Sequence, residues 1–167
     1  MTQRVPLAPA EASPVFRLVV WGVPLLLVGA ALVPDPDTPG VTWPLAGLGA
    51  ALAALFFLAP RRLTYTLTPD ALVVGRLSGQ TALPFTGMRA RRTSGRLGVR
   101  LFGTGLPGYL TGQFSLGADG PGKVQAAASR GGGGVIVESG GQPYFLTPAD
   151  PQGFLRELER RGVSVAA

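Results

Sequence analysis

The chain has 167 residues, 46% of them hydrophobic and 14% charged, with a formal charge of +6. It contains no histidine and no cysteine, which removes the commonest general base, the thiol nucleophile, the usual zinc ligands and any disulfide framework. Arginine outnumbers lysine fourteen to one in an Ala-, Gly- and Pro-rich chain, so a single arginine carries less weight than a cluster.

Residues 1–15 read as a short tail. Two apolar runs follow, Leu18–Val33 and Val41–Ala59, the second with 19 residues and no charge. A span needs about 20 apolar residues. Phe16 and Arg17 lengthen the first run, because an arginine stem reaches towards the headgroups. The expectation is a hairpin of two transmembrane helices, about 16–33 and 41–59, with a loop at 34–40. A cleaved secretory signal is the other reading of the first run, with Arg4 and Arg17 as its basic region and Gly29–Ala31 small enough for cleavage.

The loop carries Asp35 and Asp37 and no basic residue, whereas Arg4, Arg17, Arg61 and Arg62 flank the apolar runs. By the positive-inside rule both termini are cytoplasmic. Arg61 and Arg62 favour an internal C-terminal region even if the first run is a signal. Ala46, Ala50 and Ala54 recur at i+4 spacing beside Gly47 and Ala51, a stripe that lets helices approach within the hairpin or between protomers of a homo-oligomer.

From Pro60 onward thirteen basic residues face six acidic ones, about +7. Such a surface favours anionic lipid, nucleic acid or acidic protein. Leu63, Tyr65 and Leu67 alternate with threonines, the period of a strand with one buried face, and Thr68-Pro69-Asp70 turns the chain into Ala71–Arg76. Ser78-Gly79 leads to Gln80–Phe85, where Pro84 marks an edge or an end. Further strands are expected at Gly98–Phe102, Gln113–Leu116, Lys123–Ser129, Gly134–Glu138 and Gln142–Leu146. One helix closes the series, capped by Thr147 or by Asp150 with Pro151 in its first turn, with Phe154, Leu155 and Leu158 on one face and Gly162 at its end. Glu157 and Arg161 form an i,i+4 pair on its exposed side. The pattern is a barrel or sandwich in one domain over 60–167.

Read together, LTYTLTPDALVV, PFTGMRARR, FGTGLPGYLTGQFSL, GVIVES and PYFLTPADPQGFLREL behind a hairpin resemble the bacterial pleckstrin-homology (PH)-like domain proteins, over Leu63–Leu158. The resemblance implies a mainly-β PH-like barrel of about seven strands closed by one C-terminal helix, and the hairpin with its flanking arginines puts it at the bacterial inner membrane. It implies no activity.

The most conspicuous cluster is Arg89, Arg91, Arg92, Arg96 and Arg100, with no acidic residue between Asp70 and Asp119. Beside an anionic leaflet each basic residue contributes about 1 kcal/mol, so lipid contact is the sharp reading and a solvated strand the plain one. Strand alternation separates Arg92 from Arg89 and Arg91. The glycine runs at Gly131–Gly134 and Gly120–Gly122 lack the spacing of a phosphate loop and read as hairpin turns. Gly103, Gly105, Gly108 and Gly112 suit a region where backbone passes close to backbone. Nucleic-acid binding is not expected, because no aromatic residues interleave the arginines. No metal, cofactor or catalytic set is expected either. Two functions remain: a non-enzymatic scaffold that recruits a protein partner, in one form by adding a strand to an open edge, and a sensor of anionic headgroups.

Overall fold

The computed structural model describes residues 2–11, 14–33, 40, 42–117 and 122–166. Asp35, Asp37, Asp119 and nearly all of the expected loop 34–40 lie outside them. In chain order the elements are β1 (Gln3–Val5), α1 (Pro14–Ala31), α2 (Thr42–Arg62), β2 (Thr64–Leu67), β3 (Ala71–Arg76), β4 (Gly79–Pro84) and β5 (Arg89–Arg92), followed by β6 (Leu97–Leu106), β7 (Tyr109–Leu116), β8 (Lys123–Ala128), β9 (Val135–Ser139), β10 (Gln142–Leu146), α3 (Pro151–Arg160) and β11 (Ser164–Ala166). They fall into two units, Ala12–Pro60 and a discontinuous unit of Met1–Glu11 with Arg61–Ala167.

In the helical unit, α1 buries Val20, Pro24 and Ala31 and half-buries Leu27 and Val28, at the i, i+4, i+7 spacing of one helix face. On α2 the matching face is Leu45, Gly49, Leu52, Ala53 and Phe56. Gly49 is the point of closest approach: a Cβ there would lie 2.9 Å from Val28 Cγ2 and 3.0 Å from the Pro24 carbonyl oxygen. The expected stripe is rotated away from this face. Ala46 is half-buried, but Ala50, Ala54, Gly47 and Ala51 are exposed. The outer faces are apolar as well, with Leu26 73%, Leu32 77% and Trp43 83% exposed.

Among the described residues one helix, α2, is long and apolar enough to cross a membrane. The apolar part of α1 is shorter, because Arg17 sits in its first turn and Ala31 ends it. The uncharged stretch Leu18–Ala31 rises only about 21 Å, against about 30 Å of hydrocarbon.

The β unit holds a four-stranded antiparallel sheet, β1-β2-β3-β4, and a seven-stranded sheet, β11-β5-β9-β10-β8-β7-β6. In the larger sheet β10–β8 and β11–β5 are parallel and the other pairs antiparallel. Eleven strands in two sheets replace the expected barrel of about seven, and no closed barrel forms: β11 and β6 are the edges of the seven-stranded sheet. That sheet is strongly curled. Residues 93–96 alone join β5 to β6, a reach of at most about 17 Å, where five strand spacings of a flat sheet would need about 24 Å.

The alternation expected from Leu63 to Leu67 holds: Leu63, Tyr65 and Leu67 are buried, as are Leu72 and Val74 on the paired strand. In the larger sheet the core is Phe114, Leu116, Val124, Ala126, Ala128, Ile136 and Phe145. Each such side chain withdrawn from water contributes about 1.5–3 kcal/mol at the larger sizes. Tyr65 hydroxyl joins the sheets, donating to the Ala127 carbonyl and accepting from Thr147 N–H at 3.1 Å. Tyr109 Oη does the same at another point, accepting from Leu77 N–H at 2.7 Å.

The N-terminal segment is not a tail. Gln3, Arg4 and Val5 pair with Leu67, Thr66 and Tyr65. Ala8 N–H donates to Thr147 O at 2.9 Å, Ala149 N–H to Pro6 O at 2.9 Å, and Ser129 Oγ to Ala8 O at 2.6 Å. Val5 and Ala8 are buried.

Helix α3 is capped by Asp150, whose carboxylate accepts from Gly153 N–H at 2.9 Å, with Pro151 in the first turn. Thr147, the other candidate cap, is buried and accepts from Ser129 N–H at 2.8 Å instead. Gly162 (φ +84°) ends the helix, as expected, and β11 follows. The Glu157–Arg161 pair is present at 3.0 Å but is not on an exposed side. Arg161 is only 17% exposed, because its Nη1 donates to Thr68 O at 2.7 Å and its guanidinium lies 5.9 Å from the Phe85 ring centre.

Candidate functional site

The five clustered arginines occupy three settings. Arg89, Arg91 and Arg92 lie on β5, between β9 and β11. Arg89 and Arg91 line a cavity of about 210 Å³ with Ile136, Glu138 and Ala166, so a carboxylate shares their face, and Arg89 is the register partner of Glu138. Arg96 sits in the β5–β6 connection and pairs with Glu11 at 3.6 Å; the same carboxylate meets Arg130 at 3.7 Å. Arg100 is on β6, alongside Gly105. Arg92 is exposed and does not line the cavity beside Arg89 and Arg91. The involvement of Glu11, from the far N-terminus, had no signal in the local sequence.

Arg4 is exposed on β1, and Arg17 lies inside the first turn of α1. Arg61 and Arg62 end α2 and, with Thr64, Gly75, Arg76 and Gln80, line an open hollow of about 710 Å³. Arg76 was not singled out by the sequence, because a charged residue at the end of a strand looks like an ordinary solvated position.

The open edge of the larger sheet is the more unusual surface. On β6, Val99 is 71%, Leu101 49% and Phe102 77% exposed. The register with β7 slips twice, between Leu97 and Arg100 and between Arg100 and Phe102. Each slip inserts one extra residue, and such bulges at sheet edges re-aim side chains that alternation would send inward. Ser115 Oγ repairs one lost ladder bond by accepting from Val99 N–H at 2.8 Å. Arg96 precedes the apolar trio in sequence and Arg100 lies within it. Tyr109, further along the hairpin, is buried, and Leu106 and Leu110 are half-buried.

Gly131–Gly134 lies between β8 and β9, which are not neighbours in the sheet, so it is not the expected hairpin turn. Gly131 and Gly134 carbonyls accept from Leu97 N–H at 2.7 Å and Thr93 N–H at 3.2 Å, holding the β5–β6 connection; Gly120 and Pro121 lie outside the described residues. Among the described residues no group of three or more His, Cys, Asp or Glu side chains is placed to hold a metal ion.

Two β-sheets tied by buried tyrosine hydroxyls, with one capped helix after the last strand of the core, define a small β domain. The family model for bacterial PH domains matches residues 63–162, and the chain belongs to that family. No curated protein and no solved structure gives a match.

Proposed function

We propose that the chain is a non-enzymatic PH-domain module anchored by a hairpin in the bacterial inner membrane, with the domain on the cytoplasmic face, where it recruits a protein partner. One observation carries the anchoring. Residues 3–5 precede the apolar helices and residues 64–67 follow them, yet both belong to one hydrogen-bonded sheet. The segment between must leave and return on the same side, so a crossing by α2 requires a second by α1. Tilting of the long helix and thinning of the bilayer accommodate the shorter one at a modest cost. A hairpin with Leu18, Leu26, Leu32 and Trp43 exposed would also be costly in water. The basic residues Arg61 and Arg62 favour the inside.

Recruitment rests on the β6 edge. A partner surface with apolar side chains against Val99, Leu101 and Phe102 and acidic groups against Arg96 and Arg100 complements it in both respects. The alternative, contact with anionic headgroups through Arg89, Arg91, Arg92, Arg96 and Arg100, is supported by their charge and opposed by their division among three settings with Glu138 and Glu11 close by. With no His or Cys in the chain, catalysis would have to do without the commonest general base and the thiol nucleophile.

The cysteine-free sequence makes the test direct. Single cysteines replace Gly40, Arg156 and Phe102, and intact cells are treated with a membrane-impermeant maleimide. Gly40→Cys is expected to label from outside, and Arg156→Cys only after permeabilisation; labelling of both from the same side sinks the hairpin. Phe102→Cys is expected to react more slowly in permeabilised cells than in purified protein. Equal rates in the two settings would leave the β6 edge without an occupant.

A further inference from the structure

The junction between α2 and β2 builds a second basic site, separate from the clustered arginines. Arg61, Arg62 and Arg76 converge on the hollow of about 710 Å³, with Thr64 and Gln80 as neutral hydrogen-bonding groups and no carboxylate in its lining. That volume falls in the range of small-molecule sites. The acid nearest in sequence, Asp70, sits in the turn at the opposite end of the β2–β3 hairpin, since Thr64 pairs with Gly75 and Leu67 with Leu72.

Two features show that the site is shaped. Gly75 lines it, and a Cβ at that position would collide with Thr64 Oγ1, so only glycine leaves the threonine hydroxyl where it stands. Arg76 is held in place by its Nη2, which donates to Thr81 Oγ1. Its Nε is buried without a hydrogen-bond partner among the described residues. A buried donor left unpaired costs about 1–3 kcal/mol, more when charged, and an acceptor anion would relieve that cost. Arginine also presents parallel N–H groups that match the oxygens of phosphate, and it keeps its charge at any physiological pH.

We propose that Arg61, Arg62 and Arg76 bind a phosphate group in this hollow. Two sources share that chemistry, the headgroup of an anionic phospholipid and a soluble phosphate ester. Chain continuity favours the first, because Arg61 directly follows the apolar stretch that ends at Pro60. The lipid source rests on the membrane reading above; the soluble source does not.

The experiment uses the full chain, purified and delipidated in a neutral detergent. Native mass spectrometry measures retention of phosphatidylglycerol against phosphatidylcholine, and calorimetry measures inorganic phosphate and glycerol 3-phosphate. Expected is a preference for phosphatidylglycerol that glycerol 3-phosphate competes away, weakened about tenfold by Arg76→Gln. The exposed Arg62→Gln should do the same without touching the Thr81 contact, and Arg156→Gln, at an exposed position of α3, should leave binding unchanged. Phosphate binding with the same arginine dependence but no lipid preference assigns the soluble source. Binding of neither ligand, or binding indifferent to both Arg62→Gln and Arg76→Gln in proteins with unaltered melts, overturns the site. Release of the intact chain from membranes by alkaline carbonate, with arginine-dependent phosphate binding retained, would instead overturn the anchoring and leave the site standing.

Discussion

Tyr65 shows how much of the domain depends on one oxygen atom. It is fully buried, and its hydroxyl serves a carbonyl of β8 and the N–H of Thr147. Burial pushes its phenol up to about 12, against hydrogen bonds with Thr147 that pull it down. In the unfolded chain the proton leaves near pH 10, while the folded chain keeps it to about 12. The stabilisation is therefore complete below about pH 10 and is lost as pH rises through the interval up to about 12, on the order of 2–3 kcal/mol. Thermal melts of the full chain in detergent at pH 8 and pH 11.5 should show this loss. Tyr65→Phe should cost about 2–3 kcal/mol at pH 8, by leaving two buried backbone groups unpaired, and should flatten much of the alkaline decline. An unchanged alkaline slope in Tyr65→Phe would assign the decline to other groups.

Gly103 and Gly112 make a different point at the same scale. They are register partners across β6 and β7, both with positive φ (+107° and +112°), and a Cβ on either would strike the backbone of the opposite strand. The close backbone passage expected of these glycines is present, at this pair. It draws β6 tightly onto β7 just beyond the bulged and exposed Val99–Phe102.

Among the elements, the helical hairpin depends on one residue the sequence did not single out. Gly49 admits α1 to α2, whereas Gly47 has nothing within 4 Å of where a Cβ would stand. Gly49→Ala should lower the melting temperature of the detergent-solubilised chain, and Gly47→Ala should leave it level or raise it slightly, since alanine is the better helix former. Equal responses would remove Gly49 from the contact. Spacing alone did not find it, because alanine is so common in this segment that several stripes of small residues coexist. Packing against Pro24 and Val28 selects one.

The same contrast runs through the β unit. The strands from Thr64 to Arg76 were legible because their burial is one-sided and therefore alternates. Helix α3 was legible because cap, proline and terminal glycine all fall at the expected places. Strands β1 and β11 were not, because three residues hold no period and their existence depends on partners about 60 residues away or more. The exposure of Val99, Leu101 and Phe102 was hidden for another reason: a bulge is a mismatch between two strands, and neither strand records it alone. The arginine cluster was visible as composition, but its partners Glu11 and Glu138 come from distant parts of the chain, so its division was not. Arg76 needed its neighbours Arg61 and Arg62 to become conspicuous, and only the fold supplies them.

For the molecule as a whole, the domain is discontinuous. Residues 63–167 contain the family match but lack the strand that covers β2 and the Ala8 carbonyl that satisfies Ser129. Expressed alone, this fragment should melt at a lower temperature and less cooperatively than a fusion in which a short Gly/Ser linker joins residues 2–11 directly to 61–167. Identical, sharp transitions for the two would show β1 to be dispensable.

The arrangement also sets an order of events during synthesis. Tyr65 is the register partner of Val5, so at 5–20 residues per second the first strand waits roughly 3–12 s on the ribosome for its mate. A nascent chain whose start had been carried through the bilayer would never bring the two together, and β2 would be left with a bare edge of the kind that invites aggregation and proteolysis. Under the proposed hairpin, completion of the small sheet therefore requires both ends of the helical segment to emerge on one side.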